Sequence, residues 1–203
     1  MRRRTPGTAT AQLCALQLDV SHLTGYNGGM SIVVRPAAVA ECAQIADIYR
    51  HYVEHTVATF DTVPPTVGAW EQKLTTITAA GRPFLVAAAD DDQIVGFAYL
   101  GTFRNMPAYD HTSEDTIYVR PGLGGGGIGS ALMSRMLADA EHTDVRQIIA
   151  VIAATNGEAS IALHLKHGFT HAGRLHASGH KAGQWIDTVY LQYSVGSPTS
   201  VGG

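Results

Sequence analysis

Cysteine is scarce in this chain. Cys14 and Cys42 sit in unrelated contexts, so neither a disulfide framework nor a cysteine-based metal site is available. A reducing, cytoplasmic compartment is the expectation. Charge is also sparse: Lys, Arg, Asp and Glu make up 15% of the 203 residues, and the formal net charge is -3. That balance lacks the basic excess that marks nucleic-acid binding. No apolar run reaches the roughly 18 residues of a membrane-spanning helix. Arg2, Arg3 and Arg4 ahead of residues 9–20 loosely imitate a signal sequence, but Gln12, Gln17 and Asp19 interrupt the apolar part. What the chain does have is apolar material: 45% hydrophobic residues, enough for a sizeable core.

No internal repeat is visible, and one domain over residues 30–195 is the expectation. Residues 1–29 read as a poorly ordered or mis-started extension, with Met30 a candidate initiator, and residues 196–203 as a flexible tail. Within the domain, β-branched residues predict a strand at 32–35. Apolar positions Cys42, Ile45, Ile48, Tyr49 and Tyr52 recur at helical spacing over 39–55. Thr66 is placed to cap a second helix ending near Ala79. Strands are expected at 84–89 and 93–103 as a hairpin, then at 113–119. A glycine-rich loop and a helix over 127–141 follow. A nearly all-apolar strand is expected at 147–153, then a helix over 157–167 capped by Asn156. Strands at 168–175 and 185–193, joined by turn-rich residues 179–183, close the chain. The order β-α-α-β-β-β-α-β-α-β-β predicts an α/β fold.

Strand, glycine-rich turn, helix is a device for holding phosphate, because glycine lets the backbone approach closely and the first helical N–H groups lack partners. A phosphate-binding loop of the ATPase type needs Lys before the Ser/Thr, and Gly129 is followed directly by Ser130. Gly122-Leu123-Gly124-Gly125-Gly126-Gly127 formally fits a dinucleotide fingerprint. That reading wants an acidic residue at the end of the next strand, and residues 148–155 contain none. A flexible hinge before a helix is the plain structural alternative. Coenzyme A pyrophosphate is the remaining ligand class.

The loop resembles motif A of the GNAT acetyltransferases, in the register Gly124-Gly125-Gly126-Gly127-Ile128-Gly129. The usual Gln/Arg at its first position and the frequent basic residue at its second are both glycine here. The resemblance extends over residues 32–193 and is to the phosphinothricin and methionine sulfoximine N-acetyltransferase branch. It is carried by Val34-Arg35-Pro36-Ala37, Ala58-Thr59-Phe60-Asp61-Thr62 and Pro107-Ala108-Tyr109. It continues through Thr112-Ser113-Glu114-Asp115-Thr116-Ile117-Tyr118-Val119, Asn156-Gly157-Glu158-Ala159-Ser160-Ile161-Ala162-Leu163-His164 and Gly168-Phe169. Gly179-His180-Lys181-Ala182-Gly183-Gln184-Trp185-Ile186-Asp187 completes it.

The resemblance implies a GNAT fold with a mixed, mostly antiparallel central sheet that splays beside the glycine loop. It implies direct acetyl transfer from acetyl-CoA to the primary amine of a small amino acid or analogue, without a metal, in a homodimer. Glu114, at the start of the strand that feeds the loop, is the implied general base, and burial must raise its carboxyl to suit neutrality. His164 is implied as catalytic, since imidazole can give or take a proton near neutrality. It is expected on a helix whose Ile161 and Leu165 face the core. Implied cofactor contacts are Ile117, Tyr118, Val119, Gly124, Gly125, Gly126, Gly127, Ile128, Gly129, Ser130, Asn156 and Ser160. Backbone groups near the end of the catalytic strand are expected to receive the thioester oxyanion. Phe60, Arg104, Tyr109 and Lys181 are implied substrate contacts; Met106 stands where many relatives carry an arginine. No cysteine lies near these motifs, which disfavours a ping-pong route.

Two other readings fit parts of the chain. His51-Tyr52-Val53-Glu54-His55 fits the inverted zincin pattern H-x-x-E-H, but no further acidic ligand stands out downstream. The glycine substitutions in motif A admit a non-catalytic acyl-CoA-binding module, against which the pairing of Glu114 with His164 argues.

Overall fold

The computed structural model describes residues 24–27 and 30–196. Eight strands form one sheet in the order β1-β2-β3-β4-β5-β6-β8-β7. They are β1 (Thr24–Asn27), β2 (Met30–Pro36), β3 (Phe84–Ala89), β4 (Ile94–Thr102), β5 (Thr112–Val119), β6 (Gln147–Ala153), β7 (Thr170–Lys181) and β8 (Gln184–Ser194). The helices are α1 (Cys42–His55), α2 (Val67–Ala79), α3 (Ile128–Ala140) and α4 (Glu158–Lys166). Short 3-10 turns sit at Val39–Glu41 and Pro107–Tyr109.

The expected element order is present with two differences. Thr24–Asn27, inside the stretch read as an extension, forms β1 and pairs with β2; the readings for residues 1–23, 28–29 and 197–203 lie outside the described residues. The last hairpin is also longer than its composition suggests. β7 continues through Gly179 to Lys181, leaving only Ala182 and Gly183 as the turn. Its glycines serve two register shifts, between His171 and Gly173 and between Leu175 and Gly179.

Alternation along the central strands builds a core on each face of the sheet. On β4, Ile94, Phe97 and Tyr99 pack with Trp70 and Leu74 of α2 and Ile45 and Tyr49 of α1. Val95, Ala98 and Leu100 pack on the other face with Leu132, Met133 and Met136 of α3. Gly96 permits that close approach: a Cβ there would lie 3.0 Å from Leu132 Cδ1 and 3.0 Å from the Tyr118 carbonyl. α2 starts where its sequence says, with the Thr66 hydroxyl accepting from the Ala69 N–H at 3.2 Å.

All neighbouring strands are antiparallel except β5 and β6. That parallel pair is short, joining only Thr112–Gln147, Ser113–Ile148 and Glu114–Ile149. Beyond Glu114, β5 stays with β4 as far as Val119, while β6 follows β8. The sheet therefore opens between the two strands, and the glycine loop and α3 stand at the open end.

Candidate active site

The opening leaves backbone groups without partners. Arg120 N donates to the Val95 carbonyl at 2.8 Å, and the β4–β5 register pairs Gly96 with Val119. In an antiparallel ladder the hydrogen-bonded and non-bonded pairs alternate. The peptide groups of Val119 and Ile117 therefore point away from β4, into the gap. The Val119 carbonyl accepts the Tyr52 hydroxyl; the N–H groups of both residues have no strand partner. An extended amide-bearing arm laid along β5 would meet them as another strand would. Glu114 lies five residues from Val119, roughly 16 Å along a strand.

At the open end, Gly122, Gly125 and Gly127 hold φ values of 84°, 80° and 84°, a region that L side chains avoid. Gly127 is the N-cap of α3 and offers no side chain to compete for the helix N-terminus. The first helical bond runs from Ala131 N to Gly127 O at 2.9 Å, so the N–H groups of Ile128, Gly129 and Ser130 have no intrahelical acceptor. Gly129 packs against Leu163, which a Cβ would approach to 3.3 Å. Ser130 Oγ lies 2.8 Å from His167 Nε2 and 3.4 Å from Lys166 Nζ. A loop without side chains, a helix N-terminus and an unpaired strand edge together suit a pyrophosphate followed by an extended pantetheine arm.

Successive residues of β5 face opposite sides, and this divides the expected catalytic pair. Glu114 faces the α2 side, in a cavity of about 440 Å³ lined also by Lys73, Gln72, Tyr99, Thr102 and Thr116. Burial pushes its carboxyl up to about 7; neighbouring Asp115 adds to the rise and Lys73 offsets part of it. Asp115 points to the other side and meets His164, Nε2 to Oδ2, at 2.8 Å. The two side chains are 1% and 2% exposed, so the pair is shut away from solvent.

The structure places His164 in a different setting from the one expected. It is the buried residue of α4, whereas Leu165 is 40% exposed. Its Nδ1 donates to the Ser160 carbonyl at 2.6 Å. Both ring nitrogens thus face acceptors, an arrangement that the imidazolium satisfies. Burial pushes the imidazole down, but the Asp115 carboxylate and the Ser160 carbonyl overcome this and raise it above its ordinary value. Phe169 closes the ring's edge at a centroid separation of 4.9 Å.

Other expected residues are dispersed. The Tyr118 side chain lies on the α1 face between Tyr49 and Tyr52, away from the gap. Asn156 does not cap α4: Gly157 is the N-cap, no side-chain cap bond forms, and Asn156 holds a φ of 58°. The first helical bond runs from Ile161 N to Gly157 O at 2.9 Å, so α4 starts one residue beyond Asn156. Asn156 and Lys181 instead line a second cavity of about 470 Å³ with Glu54, Thr56 and Thr62. Lys181 Nζ donates to the Thr59 carbonyl at 2.8 Å. The Phe60 ring lies against Gly179, where a Cβ would come within 2.2 Å of it. Tyr109 stands against Phe103 at 5.6 Å, and Arg104 lies over the Phe103 ring at 5.3 Å. None of Phe60, Arg104, Tyr109 and Lys181 lines the Glu114 cavity.

Three residues at this site carry no functional role in the sequence reading: Lys73, Asp115 and Tyr52. Asp115 was within reach, since period-two alternation puts it opposite Glu114. Lys73 and Tyr52 act across elements, and no local pattern marks those contacts. As for H-x-x-E-H, the His51 and His55 rings lie 5.0 Å apart on α1, tilted by 58°. No group of three His, Cys, Asp or Glu side chains among the described residues is placed to hold a metal ion.

Comparison with known proteins agrees with this geometry. The sequence model of the Acetyltransferase (GNAT) family matches residues 45–169. A phosphinothricin N-acetyltransferase of Alcaligenes faecalis is 38% identical over 73% of this chain and 75% of its own. An L-methionine sulfoximine/L-methionine sulfone acetyltransferase of Pseudomonas aeruginosa is 30% identical over 82% of this chain and 96% of its own. The crystal structure of a GNAT phosphinothricin acetyltransferase from Sinorhizobium meliloti, in complex with acetyl-CoA, is 37% identical. It superposes with a TM-score of 0.78 over 84% of this chain and 92% of its own. With the open β5–β6 edge and the glycine loop in place to receive that cofactor, the chain belongs to the GNAT acetyltransferase family, in its phosphinothricin and methionine sulfoximine N-acetyltransferase branch, and is an acetyl-CoA-dependent N-acetyltransferase.

Proposed function

We propose that the chain acetylates the primary amine of a small amino acid or analogue, of the phosphinothricin, methionine sulfoximine or methionine sulfone type, with Glu114 as general base. The observation that carries this reading is the Glu114 carboxyl, raised to about 7 inside a cavity beside the cofactor strand. A carboxylate of that basicity can take a proton from an ammonium group near neutrality, directly or through one water. The freed amine attacks the thioester carbon, the C–S bond breaks, and the proton lost by the nitrogen as the amide forms ends on the departing coenzyme A thiolate. The N–H groups of Ile117 and Val119, turned into the gap, serve as donors for the thioester arm and its developing oxyanion.

Gly124 to Gly127 and the N–H groups of Ile128, Gly129 and Ser130 hold the pyrophosphate in this reading, with Ser160 and Asn156 flanking the arm from the α4 side. His164 serves through position: with Asp115 it ties α4 to β5. Cys42, the free cysteine among the described residues, is buried in the α1–α2 core, in keeping with direct transfer. Residues 30–195 form the catalytic unit in this reading. The resemblance adds a homodimer in the cytoplasm, in which Phe60, Arg104, Tyr109 and Lys181 border the acceptor entrance; light scattering should then give twice the chain mass.

The test is acetyl transfer to a panel of amino acids with the three named analogues, followed by release of free coenzyme A thiol. Glu114→Gln should lower kcat by about a hundredfold or more with acetyl-CoA binding intact. Equal kcat in wild type and Glu114→Gln would sink the base assignment.

A further inference from the structure

We propose that Lys73 is the anion anchor of the acceptor site, its ammonium holding a negatively charged group of the amino-acid acceptor while Glu114 faces the amine. This rests on the acetyl-transfer reading above and adds how the acceptor is chosen. Lys73 projects from α2 into the Glu114 cavity. Its Nζ donates to the Tyr99 hydroxyl at 3.2 Å. It also stands 4.7 Å from the Trp70 ring centroid and 5.3 Å from that of Tyr99. Trp70 is fully buried and Tyr99 nearly so, so the long side chain is held in one place before any ligand arrives.

No carboxylate among the described residues pairs with Lys73, and Glu114 in the same cavity forms no ion pair with it. The cavity wall thus presents one fixed cation, bonded to the Tyr99 hydroxyl, and one carboxylate. An α-amino acid brings the complementary pair, an anion and an ammonium. The other cations expected near the acceptor are engaged elsewhere: Arg104 over Phe103, Lys181 on the Thr59 carbonyl. A cavity of about 440 Å³ leaves room for an amino acid together with the acetyl end of the cofactor.

The anion can be the acceptor's α-carboxylate or a charged side chain such as a phosphinate, and the experiment separates them. Steady-state kinetics would be run on wild type, Lys73→Met, Lys73→Arg and Glu114→Gln. The acceptors are methionine sulfone, its α-carboxamide and phosphinothricin. If the α-carboxylate is held, Lys73→Met raises KM at least about tenfold for methionine sulfone and phosphinothricin, the factor carried by a charge-assisted hydrogen bond. The carboxamide KM stays put, kcat changes little, and Lys73→Arg recovers most of the loss. If the side-chain anion is held, only the phosphinothricin KM rises. Either pattern supports the anchor.

Unchanged KM for all three acceptors overturns it. So does an equal rise that includes the carboxamide, or a change confined to the pH profile, which would mean that Lys73 acts only by tuning Glu114. Thermal melting confirms the fold, and Lys73→Gln replaces Lys73→Met if the latter fails to fold. Loss of kcat in Glu114→Gln on all acceptors, with no Lys73 effect, would leave the acetyl-transfer reading standing and remove this one. No transfer by wild type to any of the three would overturn both.

Discussion

At Glu114, function and stability pull in opposite directions. A carboxyl raised to about 7 by burial binds its proton more tightly folded than unfolded. Between the ordinary carboxylate range and pH 7 the folded state therefore holds more protons, and stability falls as pH rises through that window. Glu114→Gln removes the charge that burial disfavours. It should melt at a higher temperature than wild type above pH 7, with the gap closing toward pH 4.5; calorimetry across that range checks this. The Asp115–His164 pair gives the same pH direction, because its raised imidazole also binds its proton more tightly when folded, but here the charged form is the stabilised one. The raised imidazole contributes stability that is fully present below its ordinary value and lost as pH climbs through its folded value. Asp115→Asn leaves a buried imidazolium without its counter-charge and should cost about 3–5 kcal/mol. Denaturant titration should show the loss largest at pH 6 and smaller at pH 9. One residue's shift along β5 thus separates a group in a solvent-reaching cavity from one sealed in the core.

At the scale of elements, the glycine loop and β5 work as one unit. The loop's glycines are not equivalent. Gly127 caps α3 at a φ of 84°, whereas Gly124 has ordinary backbone geometry and open space around it. Gly127→Ala should strain the backbone by about 1–3 kcal/mol and raise the KM for acetyl-CoA with little change in kcat. Gly124→Ala adds no such strain and should melt as wild type does. Denaturant titration measures both, and equal stability losses in the two variants would contradict the distinction. β5 links that loop to Glu114, and its pairing with β6 stops early and leaves Ile117 and Val119 open.

For the whole molecule, the sheet divides the labour between its faces. The α1–α2 face holds an aromatic core of Trp70, Phe84, Phe97 and Tyr99, and above it the Glu114 cavity. The α3–α4 face holds the aliphatic core beneath the glycine loop. Phe97 is fully buried, with its ring 5.4 Å from Trp70 and 5.7 Å from Tyr118. Phe97→Ala should cost about 3–5 kcal/mol. Because it loosens the floor of the acceptor face, the acceptor KM should rise while the acetyl-CoA KM holds. A matched rise in both would mean that the faces are coupled.

The sequence by itself determined the element order, the strand-loop-helix at the glycines and the position of Glu114. These are local signals: period-two and period-3.6 patterning, turn residues and a run of glycine that no other element tolerates. It misjudged features that depend on what lies opposite. Asn156 looked like a cap because its type favours caps, but it takes a left-handed turn ahead of Gly157, whose carbonyl accepts the first helical bond. His164 reads as lying beside a core stripe of Ile161 and Leu165, but it is itself the buried residue of α4, with Asp115 and Ser160 against its two nitrogens. Residues 179–183 looked like a broad turn, but pairing with β8 holds most of them in a strand. Only the tertiary structure could bring Lys73 from α2 to the cavity of Glu114 on β5. Contacts between elements far apart in the chain leave no period for a sequence to show.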